Sequence, residues 1–412
     1  MNKPGNLEQV VVLAPRYPSI NQAWMDNYLE QLINHRFRVS VISGRNQVKK
    51  AIGKSELDVQ SFSSSGNRRI FDIIKSCILN PCALKDLKFA LNSISGVSSR
   101  LKVYLWISLV RSVRLATDKN LLIHSHSETF SIPFAYFASA SSIPFVLTFH
   151  GFRPSGVAQL SSNRRQDLYS LCENIIVNTE YAKGIVCKLG AAPSKVIVLP
   201  QGIPVDKFEF RPLPLPKSGG AFKILSVGRI HREKGVQYSL LAAARLKAAG
   251  INFLWTFVGE GDFLPRFLNL VDKLGLNDFI NLIPQISNTE LASVYQNHHL
   301  FVLSSISTMR GCDETQGVVL QEAQASGCIP IATRIGGIPE VIESGDDGVL
   351  VPEKSSKELT LAIEYLLDHP ETWHAYRVNG RRKVEDYFSS EVIGRRMSGI
   401  LSQVYNDFSK AG

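Results

Sequence analysis

The 412-residue chain has no apolar stretch approaching the roughly 20 residues that cross a bilayer, so a membrane-spanning helix is not expected. Its six cysteines, Cys77, Cys82, Cys172, Cys187, Cys312 and Cys328, never fall into Cys-x-x-Cys spacing and accompany no paired histidines. Neither a zinc site nor a disulfide framework is therefore indicated, and the thiols are expected to be reduced. The opening Met1-Asn2-Lys3-Pro4-Gly5-Asn6 lacks the basic-then-apolar order of a secretory leader, which gives cytoplasmic residence as the expectation. Repeats of 20–50 residues and low-complexity tracts are also missing. With 44% hydrophobic and 20% charged residues the chain reads as globular and long enough for two domains.

Acidic residues are scarce in the first half. Residues 1–210 carry a formal charge of +11 and residues 211–412 a charge of −1. The excess lies in Arg36–Lys119, which holds 16 basic and 5 acidic residues. Within it, Leu101–Leu115 interleaves apolar side chains with Lys102, Trp106, Arg111 and Arg114. That is the pattern of a basic amphipathic helix, able to lie in the headgroup plane of an anionic membrane. A core helix with a solvated basic side fits the same pattern equally well. Nucleic acid is not an expected partner, because no DNA- or RNA-binding module and no aromatic stacking platform is legible.

What the chain does contain is strand-like and helix-like stretches in alternation, the mark of parallel α/β sheets. Strands are expected at Val10–Leu13, Val39–Ser43, Leu121–Ser125, Phe145–Phe149, Ile175–Asn178 and Val196–Leu199, then at Lys223–Val227, Phe253–Val258, Phe279–Leu282, Leu300–Leu303 and Ile329–Ala332. Between the two sets, Arg211–Gly220 is rich in Pro and Gly and reads as a linker. The expected division is 1–205, a linker 206–220, and 221–392, with a last helix at 393–412.

Two segments carry the chemistry. Glu314-Thr315-Gln316-Gly317-Val318-Val319-Leu320-Gln321-Glu322 puts one carboxylate in a loop and a second on the helix beginning near Gly317. Glu322 lies about five residues into that helix, roughly 7.5 Å along its axis. Between the acids lie the partnerless N–H groups of Gly317, Val318 and Val319, where phosphate oxygens bind well. Taken alone, the pair reads as well as a dipole-complementing acid and a solvated helix residue. The second segment, Val227-Gly228-Arg229 followed by Lys234-Gly235, is a strand, a glycine turn and two spaced cations that could grip a diphosphate.

With both segments in view, the chain resembles the retaining glycosyltransferases of family 4, with two facing Rossmann-like domains (the GT-B fold). Further matches, in order, are Phe257-Val258-Gly259-Glu260-Gly261, Gly336-Gly337-Ile338-Pro339-Glu340 and Gly348-Val349-Leu350-Val351-Pro352, so the resemblance covers roughly Phe222 to Phe388. The wording around Glu314 is most similar to the colanic-acid and amylovoran type of exopolysaccharide transferases. The resemblance implies transfer of a sugar from a nucleoside diphosphate to a hydroxyl of an acceptor, expected to be a lipid-linked oligosaccharide at the inner leaflet. It implies that Gly228, Arg229, Lys234, Gln316, Gly317, Val318 and Val319 bind the donor, that Glu322 takes the ribose diol, and that Glu314 and His150 act on the sugar.

His150 ends the apolar strand Phe145–Phe149 and is the first half's candidate for the cleft. His126, with His124, ends another strand and is a candidate for the acceptor side. At the first strand, Ala14-Pro15-Arg16-Tyr17-Pro18-Ser19-Ile20-Asn21 departs from the family's paired-glycine loop, so Ser19 and Asn21 are the candidates there. No Asp-x-Asp occurs in the chain, so neither a metal clamp nor any cofactor is expected. A sugar-nucleotide epimerase or phosphorylase of the same fold, a noncatalytic sugar-nucleotide binder and a membrane scaffold remain the rival readings.

Overall fold

The computed structural model describes residues 6–15, 17, 23–43, 50–52, 55–61, 120–151, 160–217, 220–284, 286–307 and 313–411, and the statements below concern those residues. Ser19, Asn21, the segment Leu101–Leu115 with Lys102, Trp106, Arg111 and Arg114, and the cysteines Cys77, Cys82 and Cys312 lie outside them.

The first unit is built on an eight-stranded sheet in the order β3-β4-β2-β1-β5-β6-β7-β8. Its strands are β1 (Gln9–Ala14), β2 (Arg38–Ser43), β3 (Lys50–Ile52), β4 (Ser55–Ser61), β5 (Leu121–Ser125), β6 (Phe145–Phe149), β7 (Asn174–Val177) and β8 (Val196–Val198). All neighbours run parallel except the edge pair β3–β4. The β3–β4 pair was not expected from sequence, because Lys50–Ser61 is largely polar and its one alternation, Leu57 and Val59, spans only two apolar residues. The helices are α1 (Ala23–Asn34), α2 (Glu128–Ala140), α3 (Ser162–Leu171) and α4 (Glu180–Lys188).

The central strands are largely apolar because both faces are covered. Alternate residues divide between two cores. Val11, Leu13, Ile123, Leu147, Ile175 and Val177 face α2, α3 and α4. Val10, Val12, Leu122, Val146 and Ile176 face α1 and the last helix, α11 (Ser390–Ala411). From α11, Ile393, Met397, Leu401, Val404 and Tyr405 enter that core.

The second unit holds a six-stranded parallel sheet in the order β11-β10-β9-β12-β13-β14. Its strands are β9 (Phe222–Val227), β10 (Phe253–Val258), β11 (Ile280–Ile283), β12 (Leu300–Leu303), β13 (Ile329–Thr333) and β14 (Val349–Val351). Its helices are α5 (Val236–Ala248), α6 (Leu264–Lys273), α7 (Asn288–Gln296), α8 (Val318–Ser326), α9 (Ser356–Asp368) and α10 (Trp373–Lys383). β14 is a further strand that sequence reading did not separate, its three residues being closed in by Gly348 and Pro352. The connection between the sheets is anchored rather than loose. Ile203, Val205 and Phe208 pack with Leu225, Val258 and Phe301 of the second unit, and Ile203 bridges to Ser389.

In each sheet the strand order reverses, between β1 and β5 and between β9 and β12. Open parallel sheets bind ligands at such switch points, beyond the strand C-termini. The residues found there are His126 after β5, Gly228-Arg229 after β9, and Ser304-Ser305 after β12.

Candidate functional site

On the second unit's side, β9 runs into Gly228, Arg229 and a short 3-10 turn, Arg232–Lys234, that delivers Gly235 to the start of α5. Gly235 has φ +64°, and a Cβ there would lie 1.8 Å from the Ser304 carbonyl oxygen, so glycine is required for the turn to reach the end of β12. The Ser304 hydroxyl lies 3.0 Å from the Gly235 carbonyl and 2.8 Å from the Ser239 hydroxyl. The turn is thereby tied to the strand, and Lys234 is held at the sheet's mouth. Its ammonium pairs with the Glu314 carboxylate. Arg229 is half exposed, and its guanidinium is 3.9 Å from Glu233.

Glu314 sits in the loop before α8. Burial pushes its carboxyl pKa up, but the Lys234 charge and hydrogen bond, the Ser305 hydroxyl and the Arg229 charge together outweigh that and hold it below the usual value. The loop rests on Gly336-Gly337. The Gly337 N–H donates to the Glu314 carbonyl at 2.9 Å, and a Cβ on Gly337 would fall 2.0 Å from the Thr315 carbonyl oxygen. Gly317 (φ +83°) then opens α8, so Val318 and Val319 are its first residues. The Gln316 side chain is committed elsewhere, accepting from Gln201 N–H at 2.8 Å and donating to the Gln201 carbonyl at 2.9 Å. What Gln316 can offer a ligand is its backbone.

The first unit meets this loop directly. The Thr179 hydroxyl donates to the Thr315 carbonyl at 2.8 Å, and the Asn178 amide donates to the Thr315 hydroxyl at 3.1 Å. A Cβ on Gly151 would come within 2.9 Å of Thr315 Cγ2. His150, at the end of β6, therefore looks across at Glu314. Its Nε2 is 3.0 Å from His126 Nδ1, and its ring packs on Trp24 with centroids 4.4 Å apart. His124 lies deeper, between the Tyr28 hydroxyl on Nδ1 and the Thr148 hydroxyl on Nε2 at 2.7 Å. Both its nitrogens are engaged, so it is not free to ligate a metal. Burial lowers all three imidazoles, His150 to about 4, His124 to about 3 and His126 well below the ordinary value. Each ring is neutral at pH 7, with one donor and one acceptor nitrogen.

A cavity of about 140 Å³ brings His150, Gly151, Arg229, Lys234, Ser305 and Glu314 together. A second, of about 70 Å³, lies behind His150 and is lined by Trp24, Tyr28, His126 and Met397. Glu322 is not among the residues of the first cavity. It lies one turn into α8, where its carboxylate accepts from the Tyr295 hydroxyl at 2.8 Å, and burial raises its pKa to about 7. The pKa values of the two acids of the Glu-x7-Glu run are thus shifted in opposite directions. Sequence reasoning missed Trp24 and Tyr28. Both lie on α1 four residues apart, so they share a helix face, and that spacing was the available signal. It also missed Asp313, which accepts from the Tyr181 hydroxyl across the cleft at 2.6 Å.

Comparison with known proteins gives two adjoining family matches, Glycosyltransferase Family 4 over residues 89–207 and Glycosyl transferases group 1 over residues 208–383. The colanic acid biosynthesis protein WcaL of Salmonella typhimurium is 28% identical over 260 residues, 62% of this chain and 63% of that protein, so the match spans just under two thirds of the relative. The amylovoran biosynthesis glycosyltransferase AmsK of Erwinia amylovora is 27% identical over 219 residues, 52% of this chain and 53% of that protein. Among solved structures, Anabaena HepE in complex with UDP and glucose superposes with a TM-score of 0.69 at 16% identity, over 96% of this chain and 99% of that one. Sucrose-phosphate synthase of Thermosynechococcus elongatus does so with a TM-score of 0.73 at 18% identity, over 97% of this chain and 100% of that one. At such identities the likeness carries the fold, which is GT-B.

Proposed function

Since the chain belongs to the glycosyltransferases of group 1 and family 4, with both models matched in succession over residues 89–383, we propose that it moves a sugar from a nucleoside diphosphate to an acceptor hydroxyl during exopolysaccharide assembly. The observation that carries this reading is the convergence of His150 from one sheet with Arg229, Lys234 and Glu314 from the other on a single polar cavity. HepE, which shares the fold, is solved with UDP and glucose, and that agrees with a nucleotide-sugar donor here.

In this reading Arg229, Lys234 and the N–H groups of Gly317, Val318 and Val319 stabilise the departing diphosphate, where preorganised charge contributes most. Glu314 and His150 hold hydroxyls of the transferred sugar, and Glu322 takes the ribose diol. Lys234 exchanges its Glu314 partner for phosphate when donor arrives, which frees the carboxylate for the sugar. The anomeric configuration is retained by front-face attack, with the leaving phosphate oxygen accepting the acceptor proton. The reaction needs no metal, in keeping with a chain that has no Asp-x-Asp. The acceptor is a lipid-linked oligosaccharide, reached from the cytoplasmic face through the basic segment Arg36–Lys119.

Purified protein incubated with UDP-, GDP- and dTDP-sugars tests this by donor hydrolysis without acceptor. Release of one nucleoside diphosphate names the donor. No hydrolysis and no calorimetric binding with any of them would remove the assignment.

A further inference from the structure

Behind the cavity, the two neutral histidines meet nitrogen to nitrogen, and this contact decides which face of His150 can donate. We propose that His126 is a positioning residue that donates from Nδ1 to His150 Nε2, so that His150 carries its own hydrogen on Nδ1 as a ready donor to an oxygen of the bound sugar.

The contact is 3.0 Å long and joins two ring nitrogens, so one must bear the hydrogen and the other must not. If His150 Nε2 were the donor, His126 Nδ1 would be the acceptor and the hydrogen of His126 would sit on Nε2. That atom is buried and has no hydrogen-bond partner among the described residues. A buried N–H with nothing to receive it is rarer in folded proteins than an under-used acceptor. The opposite assignment leaves His126 Nε2 as a bare lone pair and shifts the unpaired hydrogen onto the His150 ring, which borders the cavity. His150 Nδ1, which has no partner among the described residues, then becomes the donor on the ring that borders the cavity. Facing it across that cavity is the Glu314 carboxylate, an acceptor only. A sugar hydroxyl between them can accept from His150 and donate to Glu314, each atom used once. Neutrality of both rings, which burial enforces, keeps either from acquiring a second hydrogen near pH 7.

The rings have little freedom to turn out of this arrangement. Trp24 packs on both, at 4.4 Å from His150 and 5.3 Å from His126, and Tyr28 meets the His126 ring at 4.7 Å. The proposal rests on the reading of this cavity as the sugar site for its purpose, but not for its geometry, and the experiment separates the two.

Histidine-labelled wild-type protein examined by long-range proton–nitrogen NMR at pH 7.5, with His150 assigned by its loss in His150→Gln, should show His150 protonated on Nδ1. His150 protonated on Nε2 overturns the proposal whether or not the protein transfers sugar. Turnover supplies the second arm. His126→Phe removes the donor and should lower kcat roughly tenfold or more, the scale seen when the group orienting a functional histidine is lost, with affinity for UDP unchanged. His126→Asn offers an amide N–H near the position of Nδ1–H and should recover most of that loss. Equal impairment of the Phe and Asn variants, or no impairment in either, also overturns it. If no donor is turned over at all, the proposed function fails while the NMR result still decides this one.

Discussion

Glu340 of the second domain accepts the backbone N–H of Tyr181, in the first turn of α4 in the first domain, at 2.8 Å, and that of Glu180 at 2.7 Å. Thr179 Oγ1 accepts the next free N–H, from Ala182, at 3.1 Å. The N-terminus of α4 is therefore capped in part by its own domain and in part by the other. Domain separation uncovers two helix donors as well as breaking contacts. Glu340→Ala should lower stability by about 1 kcal/mol, as lost caps do, and should raise the radius of gyration without ligand. Small-angle scattering of both proteins checks this, and superimposable profiles would show that the contact does not hold the domains together.

Glu322 gives a pH signature. Its folded pKa of about 7 lies above the ordinary 4.5, so the ionised form is penalised in the fold. That penalty is absent below pH 4.5 and grows as pH rises toward 7. Glu322→Gln should accordingly stabilise the ligand-free protein at pH 8 by about 2 kcal/mol, allowing for partial solvent access, and should have no effect near pH 4. Urea melts at the two pH values read this directly. A variant gain independent of pH would place the cause in packing rather than charge.

Arg229→Ala should weaken UDP binding by roughly 1.5–3 kcal/mol through loss of charge-assisted hydrogen bonds. Glu314→Gln and His150→Ala should instead reduce kcat and kcat/KM together, because their partners are on the sugar. Calorimetry and steady-state rates on the same preparations separate the two patterns. Wild-type kcat in both sugar-side variants would dismiss them from the reaction.

Gly337→Ala tests the support beneath Glu314. The added methyl meets the Thr315 carbonyl at 2.0 Å and Thr179 Cγ2 at 2.8 Å. Overpacking of this kind costs about 1–3 kcal/mol, and the Glu314 loop is what must shift. Activity should fall by more than the stability loss explains, measured well below the melting temperature.

For the basic segment, reversible binding to anionic vesicles is expected, falling with salt because exposed charges are screened over about 8 Å at physiological ionic strength. Arg111→Glu with Arg114→Glu should release the protein in a flotation assay. Equal recovery on neutral and anionic vesicles would leave Leu101–Leu115 as ordinary core.

Most strands were legible because central parallel strands are buried on both faces and read as plain apolar runs, as in Gln9–Ala14 and Leu300–Leu303. The α8 boundaries were legible for another reason. Gly317 and Gly327, both at positive φ, bracket the helix as chemical punctuation. Val349–Val351, a short run closed in by Gly348 and Pro352, was not read as a strand. The site was only partly legible. A motif can nominate Lys234 and Glu314, but their ion pair joins residues 80 positions apart and depends on the Gly235 turn docking on Ser304. The commitment of the Gln316 side chain to Gln201, 115 positions away, is likewise set by how the domains meet.

The core that α11 completes has a bearing on biosynthesis. Val10, Val12 and Leu29 are covered by Met397, Leu401 and Tyr405 from the opposite end of the chain. At 5–20 residues per second, roughly 20–80 s of translation separate the two. Throughout that interval one apolar face of the first sheet has only α1 over it and lacks the part of its cover that α11 supplies, while the second domain, whose own elements are contiguous in sequence, can fold as it emerges. Nascent protein truncated before Ser390 should thus bind a chaperone at the first domain, and synthesis of Ser390–Ala411 should release it.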